Sequence, residues 1–355
     1  MSLPSIPRRQ FIAGAGAGAL IGLGAHAGVA GADVDPEGAA ARLEVPPAVA
    51  EHYARQDREG APVSELAPGT PSNGGATRTY WIKAVKLHWQ IVPTHHDGVY
   101  DMPVKGRSDF HGYAYQRWEP HFRKPMGPAR IPGPTIECEI GDTVVINFRN
   151  ESGIPVTMHP HGIFYSVDMD GAYKGAYTVP SGFVQSGRSF QYVWQARPGT
   201  QGAWLYHDHG PVCPGGVFKG LFGSLVVRDP SVPRPDREFF LVFHSFLPPQ
   251  TKLDQSFMCV NGHAYAGNTP TLRAKVGDSV AFHVVALDDS FHTFHLHGHR
   301  WVDPGTNLII DTKALGPADV MTAQFTEDNP GRWMYHCHVF SHMMMGMIGW
   351  YIVEP

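Results

Sequence analysis

Pro270-Thr271-Leu272-Arg273-Ala274-Lys275-Val276-Gly277-Asp278-Ser279-Val280 reads as a second copy of Pro134-Thr135-Ile136-Glu137-Cys138-Glu139-Ile140-Gly141-Asp142-Thr143-Val144, 136 residues upstream. His295 and His297 lie the same distance after His159 and His161. Further on, Gly331-Arg332-Trp333-Met334-Tyr335-His336-Cys337-His338 repeats Gly202-Ala203-Trp204-Leu205-Tyr206-His207-Asp208-His209 at a spacing of 129. The chain is a duplication, and each copy carries two His-x-His pairs. Alternating apolar runs such as Thr143-Val144-Val145-Ile146-Asn147-Phe148 and Ser279-Val280-Ala281-Phe282-His283-Val284, bounded by Gly-Asp turns, predict short strands and an all-β fold of antiparallel sandwiches.

The repeat places a first domain at residues 77–230 and a second at 236–355, joined through the Pro-rich, charged stretch from Arg228 to Arg237. Residues 33–76 are Ala-, Pro- and Gly-rich and predict a poorly ordered segment. Residues 86–130 lack clean periodicity and read as an inserted loop on the first domain. Residues 1–32 have the form of an export signal. Arg8-Arg9-Gln10-Phe11-Ile12 precedes a weakly apolar run with small-residue cleavage sites at Ala25-His26-Ala27 or Ala30-Gly31-Ala32. The paired arginines before this run resemble a twin-arginine signal, so the expected location is secreted or extracytoplasmic. That run is too short and Gly-rich to span a membrane. A net charge of −4 gives no electrostatic case for nucleic acid or an anionic membrane as partner.

Ten of the 21 histidines fall in four short windows, at 159–161, 207–209, 292–297 and 336–342, and a cysteine sits inside the last. Two imidazoles, one thiolate and a weak axial thioether make a blue-copper site, and Met347 follows His342 by five residues. Along a strand, side chains alternate faces, so His336 and His338 serve one centre while Cys337 serves another. Shifting by the repeat sets Val156, Asp208, Cys213 and Phe218 opposite His292, Cys337, His342 and Met347, so only the second copy holds the blue site. Pro160 between His159 and His161 predicts an edge strand or loop there. Four cysteines are no disulfide framework, although Cys213 leaves a bridge open in an oxidising compartment.

These motifs resemble those of the multicopper oxidases, and the two-domain length is similar to that of the bacterial small laccases, over roughly residues 130–355. The resemblance implies two cupredoxin-like Greek-key β-sandwich domains in tandem and four coppers per subunit. His292, Cys337, His342 and Met347 would bind type 1 copper. His159 and His295 would bind type 2, and His161, His207, His209, His297, His336 and His338 the type 3 pair. Tyr165, Asp170 and Asp311 match positions close to the trinuclear cluster, the two acids as proton relays or as turn and hydrogen-bonding residues. The implied reaction is laccase-like: one-electron oxidation of phenols or aromatic amines coupled to reduction of dioxygen to water. The implied assembly is a homotrimer with clusters at subunit interfaces.

Other readings stay open on these residues. Trp301 and Met343-Met344-Met345 lie near the blue-site ligands in sequence, and the thioethers suit a cuprous or metal-ion oxidase; a dedicated biosynthetic oxidation of one aromatic metabolite is equally compatible with laccase-like activity. A copper nitrite reductase would keep its blue site in the first domain, and a non-enzymatic electron carrier needs no further histidines.

Overall fold

A computed structural model describes residues 36–59 and 75–355. The expected export signal at 1–32 lies outside the described residues. Each copy is a sandwich of two mixed sheets. In the first, Asp109–Trp118, Thr77–Gln90, Thr143–Glu151 and Ser189–Gln195 pair in that order. They face Ile136–Glu139, Phe222–Arg228, Gly202–His207 and His159–Pro160. The second copy repeats both orders. Phe257–Val260, Arg237–Phe246, Ser279–Ala286 and Val320–Thr326 face Leu272–Lys275, Ile348–Glu354, Gly331–Cys337, His292–Leu296 and Thr312–Leu315.

The sandwiches are not purely antiparallel. Thr77–Gln90 runs parallel to Thr143–Glu151, and Ile136–Glu139 to Phe222–Arg228, with the same two parallel pairs in the second copy. Chain crossovers between the two sheets bring such strands in with the same sense, where hairpins would alternate them. His159–Pro160 is the edge strand that its proline requires.

Inward-facing residues fill each sandwich: Ile82, Ile146, Phe148, Trp194 and Leu225 in the first, Phe243, Phe282, Phe294, Tyr335 and Tyr351 in the second. A third apolar cluster joins the copies, setting Phe110, Leu205 and Phe222 against Val242, Phe246, Phe257 and Val285.

Two expectations change. Within 33–76, residues 36–59 form the helices Pro36–Ala40 and Pro47–Glu59 docked on the first copy. Val49 and Tyr53 pack on Phe183, and the Tyr53 hydroxyl donates to the Phe183 carbonyl at 2.8 Å. Within 86–130, residues up to Gln90 and from Asp109 to Trp118 belong to two paired strands of the first sandwich. Only the excursion between them is inserted, and it straps the first copy to the second. Thr94 N–H and hydroxyl both donate to Asn268 Oδ1, Gly98 N–H donates to the Ala266 carbonyl at 2.9 Å, and the Tyr100 hydroxyl donates to Met344 Sδ.

Gly98 lies against its partner so closely that a Cβ would sit 2.5 Å from the Ala266 oxygen. Gly98→Ala should therefore loosen the strap and cost about 1–3 kcal/mol in equilibrium unfolding, whereas unchanged stability would show that the strap carries no load.

Candidate metal centres

Three donors from separate elements meet inside the core of the second copy. Strand His292–Leu296 alternates buried and half-buried residues, which turns His292 inward and His295 outward. Cys337 ends the neighbouring strand, and His342 comes from the short helix Phe340–Met344. Cys337 Sγ lies 3.8 Å from His292 Nδ1 and 3.6 Å from His342 Nδ1, and the two nitrogens are 3.3 Å apart. A point equidistant from all three is about 2.1 Å from each, within reach of metal–imidazole and metal–thiolate bonds. Two imidazoles and a thiolate in this triangle suit copper. Met347, fully buried in the same cluster, accepts the Cys337 N–H through its carbonyl at 3.1 Å.

The surroundings prepare these donors. Asp288 Oδ1 takes the far nitrogen of His292, Nε2, at 3.0 Å, which leaves Nδ1 to face the thiolate. Burial pushes the Cys337 thiol up, but hydrogen bonds from His292, His342 and the Thr293 and Val339 N–H groups outweigh it and hold the thiol at about 6. Burial opposes charge on His292, yet its bonds to Asp288 and Cys337 lift it to about 9. The metal-free site therefore keeps its proton on imidazole and presents sulfur as thiolate.

The remaining eight histidines form two half-sets with matching geometry. His161 and His207 bring their Nε2 atoms within 3.0 Å in the first copy, as do His297 and His336 in the second. His159 and His295 flank these pairs, with ring centroids 5.2 Å from His161 and 4.9 Å from His297. His209 and His338 stand 5.2 and 5.3 Å from His159 and His295.

Main-chain carbonyls fix the rings. Nδ1 of His159 donates to Asp170 and that of His207 to Asp208, at 2.6 and 2.8 Å. In the second copy Nδ1 of His295 donates to Asp311 and that of His336 to Cys337, both at 2.9 Å. Nε2 is then the lone-pair nitrogen of each ring. Burial, then neighbouring imidazoles, lower His161 to about 4. Burial likewise lowers His207 to about 3 and His336 to about 4, carbonyl bonds and neighbouring rings adding smaller effects. The His207 and His336 lone pairs therefore point at the facing Nε2 of His161 and His297, so each pair can share a proton or, in its place, a cation. Among the described residues the blue-site trio and the two half-sets remain three separate groups.

Tyr165 and Asp170 lie beside His159, and Asp311 beside His295, with contacts divided between backbone and side chain. The Asp170 carboxylate sits 3.2 Å from His159 Nδ1 and is paired with Lys174 at 2.5 Å. Tyr165 stacks edge-on to His159 at 5.7 Å, and burial followed by the Asp170 charge raises its phenol. Asp311 holds His295 by its carbonyl, while its exposed carboxylate accepts the Thr312 hydroxyl at 3.0 Å. Sequence reading missed Asp288, Thr293 and Lys174. Only Asp288, a carboxylate four residues before a ligand candidate, carried any signal. All four cysteines are free, so Cys213 forms no bridge in this chain.

Residues 128–232 and 246–355 match two multicopper oxidase family profiles. The chain belongs to the multicopper oxidase family. This multicopper oxidase is 35% identical over 241 residues to a probable nitrite reductase-hydroxylamine oxidoreductase fusion protein of Kuenenia stuttgartiensis, covering 63% of this chain and 28% of that one. It is 27% identical over 345 residues to ferroxidase HEPHL1 of Mus musculus, covering 79% of this chain and 29% of the relative. It thus spans under a third of the length of these curated relatives. A crystal structure of a multicopper oxidase superposes with TM-score 0.64 at 25% identity, over 82% of this chain and 94% of the other.

Burial pushes Cys138 and Cys213 up to about 12 and Cys259 upward as well, whereas Cys337 stands at about 6. Raising pH through about 6 in the metal-free multicopper oxidase should add one thiolate's absorbance near ~240 nm, absent in Cys337→Ser. A titration with no step below pH 8 would contradict the hydrogen-bonded thiolate.

Proposed function

We propose that this multicopper oxidase works as a laccase-type enzyme, taking single electrons from phenols or aromatic amines at the Cys337 site and reducing dioxygen at the histidine half-sets. The observation that carries this reading is the strand ending at His336-Cys337-His338. Cys337 faces the buried trio, while His336 and His338 ring-pair with His295 on the opposite face, at 5.3 Å each. One covalent segment joins electron entry to electron use.

The donors fit copper, with His292, Cys337, His342 and Met347 holding type 1, His159 and His295 type 2, and the other six histidines the type 3 pair. Copper at these places supplies one-electron transfer and the charge that stabilises reduced oxygen. The chain's own residues do the rest. Asp288 aims His292. The Asp170, Asp208, Asp311 and Cys337 carbonyls aim four cluster imidazoles. Asp170, held by Lys174 and Tyr165, is the acid placed to hold a proton beside His159, since reduction of dioxygen to water consumes four protons.

Each chain offers half of a cluster twice over. In the chain that follows His161 of the first half-set Phe164 and Val167 are exposed, and in the chain that follows His297 of the second Val302, Leu308 and Ile309 are, with Ile309 72% accessible. Large apolar side chains left open beside incomplete ligand sets favour closure by another copy, and a homotrimer closes such head-to-tail contacts. Export by the twin-arginine route is part of the same proposal. Exposed Met102 on the strap and exposed Met344 on the helix that the strap touches, with the ferroxidase relative, favour metal-ion oxidation as the second reading.

Copper-loaded protein should hold about four coppers per chain, be blue, and consume oxygen with phenols. About one copper per chain would reduce it to an electron carrier, and turnover confined to Fe(II) or Cu(I) would select the second reading. Ile309→Asp should release monomers that stay blue but lose oxygen uptake by ~10²-fold or more. Full turnover in a monomer shown by sedimentation would refute shared clusters.

A further inference from the structure

The duplication supplies an internal control, because equivalent positions can be compared inside one chain. Leu225 and Tyr351 occupy the same register position, pairing with Ile136 and Leu272 of the repeated segment. Ala196 and Glu327 are equivalent too. Their carbonyls accept Gly141 N–H and Gly277 N–H, at 2.7 and 2.8 Å, and their own N–H groups donate to Asp142 and Asp278, at 2.9 Å each. Ile163 and His299 both follow a His-x-His-Gly turn, whose Gly162 and Gly298 have φ of +71° and +73°.

In the first copy this trio, Ile163, Ala196 and Leu225, is apolar and buried. In the second it is His299, Glu327 and Tyr351, equally buried and hydrogen-bonded into one chain. The Tyr351 hydroxyl donates to Glu327 Oε2, and Glu327 Oε1 bonds His299 Nε2 at 2.9 Å while accepting Asn329 N–H at 3.0 Å. His299 Nδ1 donates to the His297 carbonyl at 2.7 Å.

Burying three polar groups where apolar ones pack is costly, and such groups are often replaceable by apolar residues at no loss of stability. A reason appears in what the second copy lacks. In the first copy, Phe164 N–H and carbonyl pair with Gln195, at 3.1 and 2.8 Å, tying down the chain just past His161. Among the described residues no such main-chain pair ties the chain past His297 to the strand Val320–Thr326. There the chain instead enters the hairpin of Trp301–Val302 and Ile309–Ile310, which has an exposed apolar tip.

We infer that His299, Glu327 and Tyr351 are positioning residues that anchor the main chain at His297 from beneath, replacing the backbone pair of the first copy, and so hold the His297 imidazole against His336. This rests on the proposal that the half-sets bind copper.

Its test copies the first trio into the second: His299→Ile, Glu327→Ala and Tyr351→Leu together. The apolar solution already packs in the same fold. The triple variant should keep parental circular dichroism and a full blue band. Its half-set copper should be stripped by graded chelator at ~10–100-fold lower concentration, with altered type 2 and type 3 resonance signals. Should the triple variant not fold, Glu327→Gln, which keeps the side chain's shape, carries the same comparison with the same expected direction. Parental copper retention and resonance signals in a folded variant, even one of lower melting temperature, would make the trio merely structural and overturn the inference. A parent chain holding only about one copper would fail earlier, on the function itself, and the inference would fall with it.

Discussion

Successive side chains leave a strand on opposite faces, and the metal chemistry of this protein depends on that constraint at one point. Cys337 must be dry and wrapped in hydrogen bonds to stay a thiolate, whereas His336 and His338 must leave by the opposite face to meet His295 and His297. No loop could meet both demands with adjacent residues so rigidly. The register sets Phe294 opposite Cys337 and His295 opposite His336, so the same alternation is enforced from the neighbouring strand. A slip of one residue would exchange the faces on which imidazole and sulfur stand.

The duplication shows how little separates a redox site from a structural one. Asp208 occupies the place of Cys337, and Oδ1 accepts the Thr157 and Gly210 N–H groups at 2.9 and 3.0 Å. Burial raises this carboxyl to about 6 despite those bonds, and Gly216 gives it room, since a Cβ there would lie 2.2 Å from Oδ2. Val156 stands where His292 would be, and Cys213 where His342 would be. The first copy therefore keeps the scaffold and the outward imidazoles while its interior position serves packing. The buried trio of two imidazoles and a thiolate belongs to the second copy alone.

Most of the site was legible because it is written in short-range spacing. His-x-His on a strand fixes a face, and the repeat fixes which faces correspond; both readings needed no tertiary information. The fold class followed from the same alternation. What stayed hidden depends on distant partners. Parallel pairing of Thr77–Gln90 with Thr143–Glu151 arises from crossovers that leave no local pattern. The helix Pro47–Glu59 holds its place through a few side chains, notably Tyr53, inside an Ala- and Pro-rich stretch whose composition suggests disorder. Residues 86–130 looked aperiodic because two half-buried strands flank a strap shaped to another surface. Asp170 and Asp311 lie beside His159 and His295, and it is their carbonyls, which every residue possesses, that hold the two rings.

Ligand sets split between two surfaces have a thermodynamic consequence. Each half-set brings four imidazoles together on one face, a ligand set that is incomplete alone. A metal bound by ligands from both surfaces stabilises their contact by mass action, and the contact in turn raises the affinity for metal. Apolar side chains beside each half-set add a driving force that does not depend on metal, so the two surfaces can meet before the ions arrive. The buried Cys337 trio needs neither partner nor neighbour, because all its donors come from one folded core. In the proposed assembly, closure is thus coupled to the half-sets and uncoupled from the buried Cys337 trio.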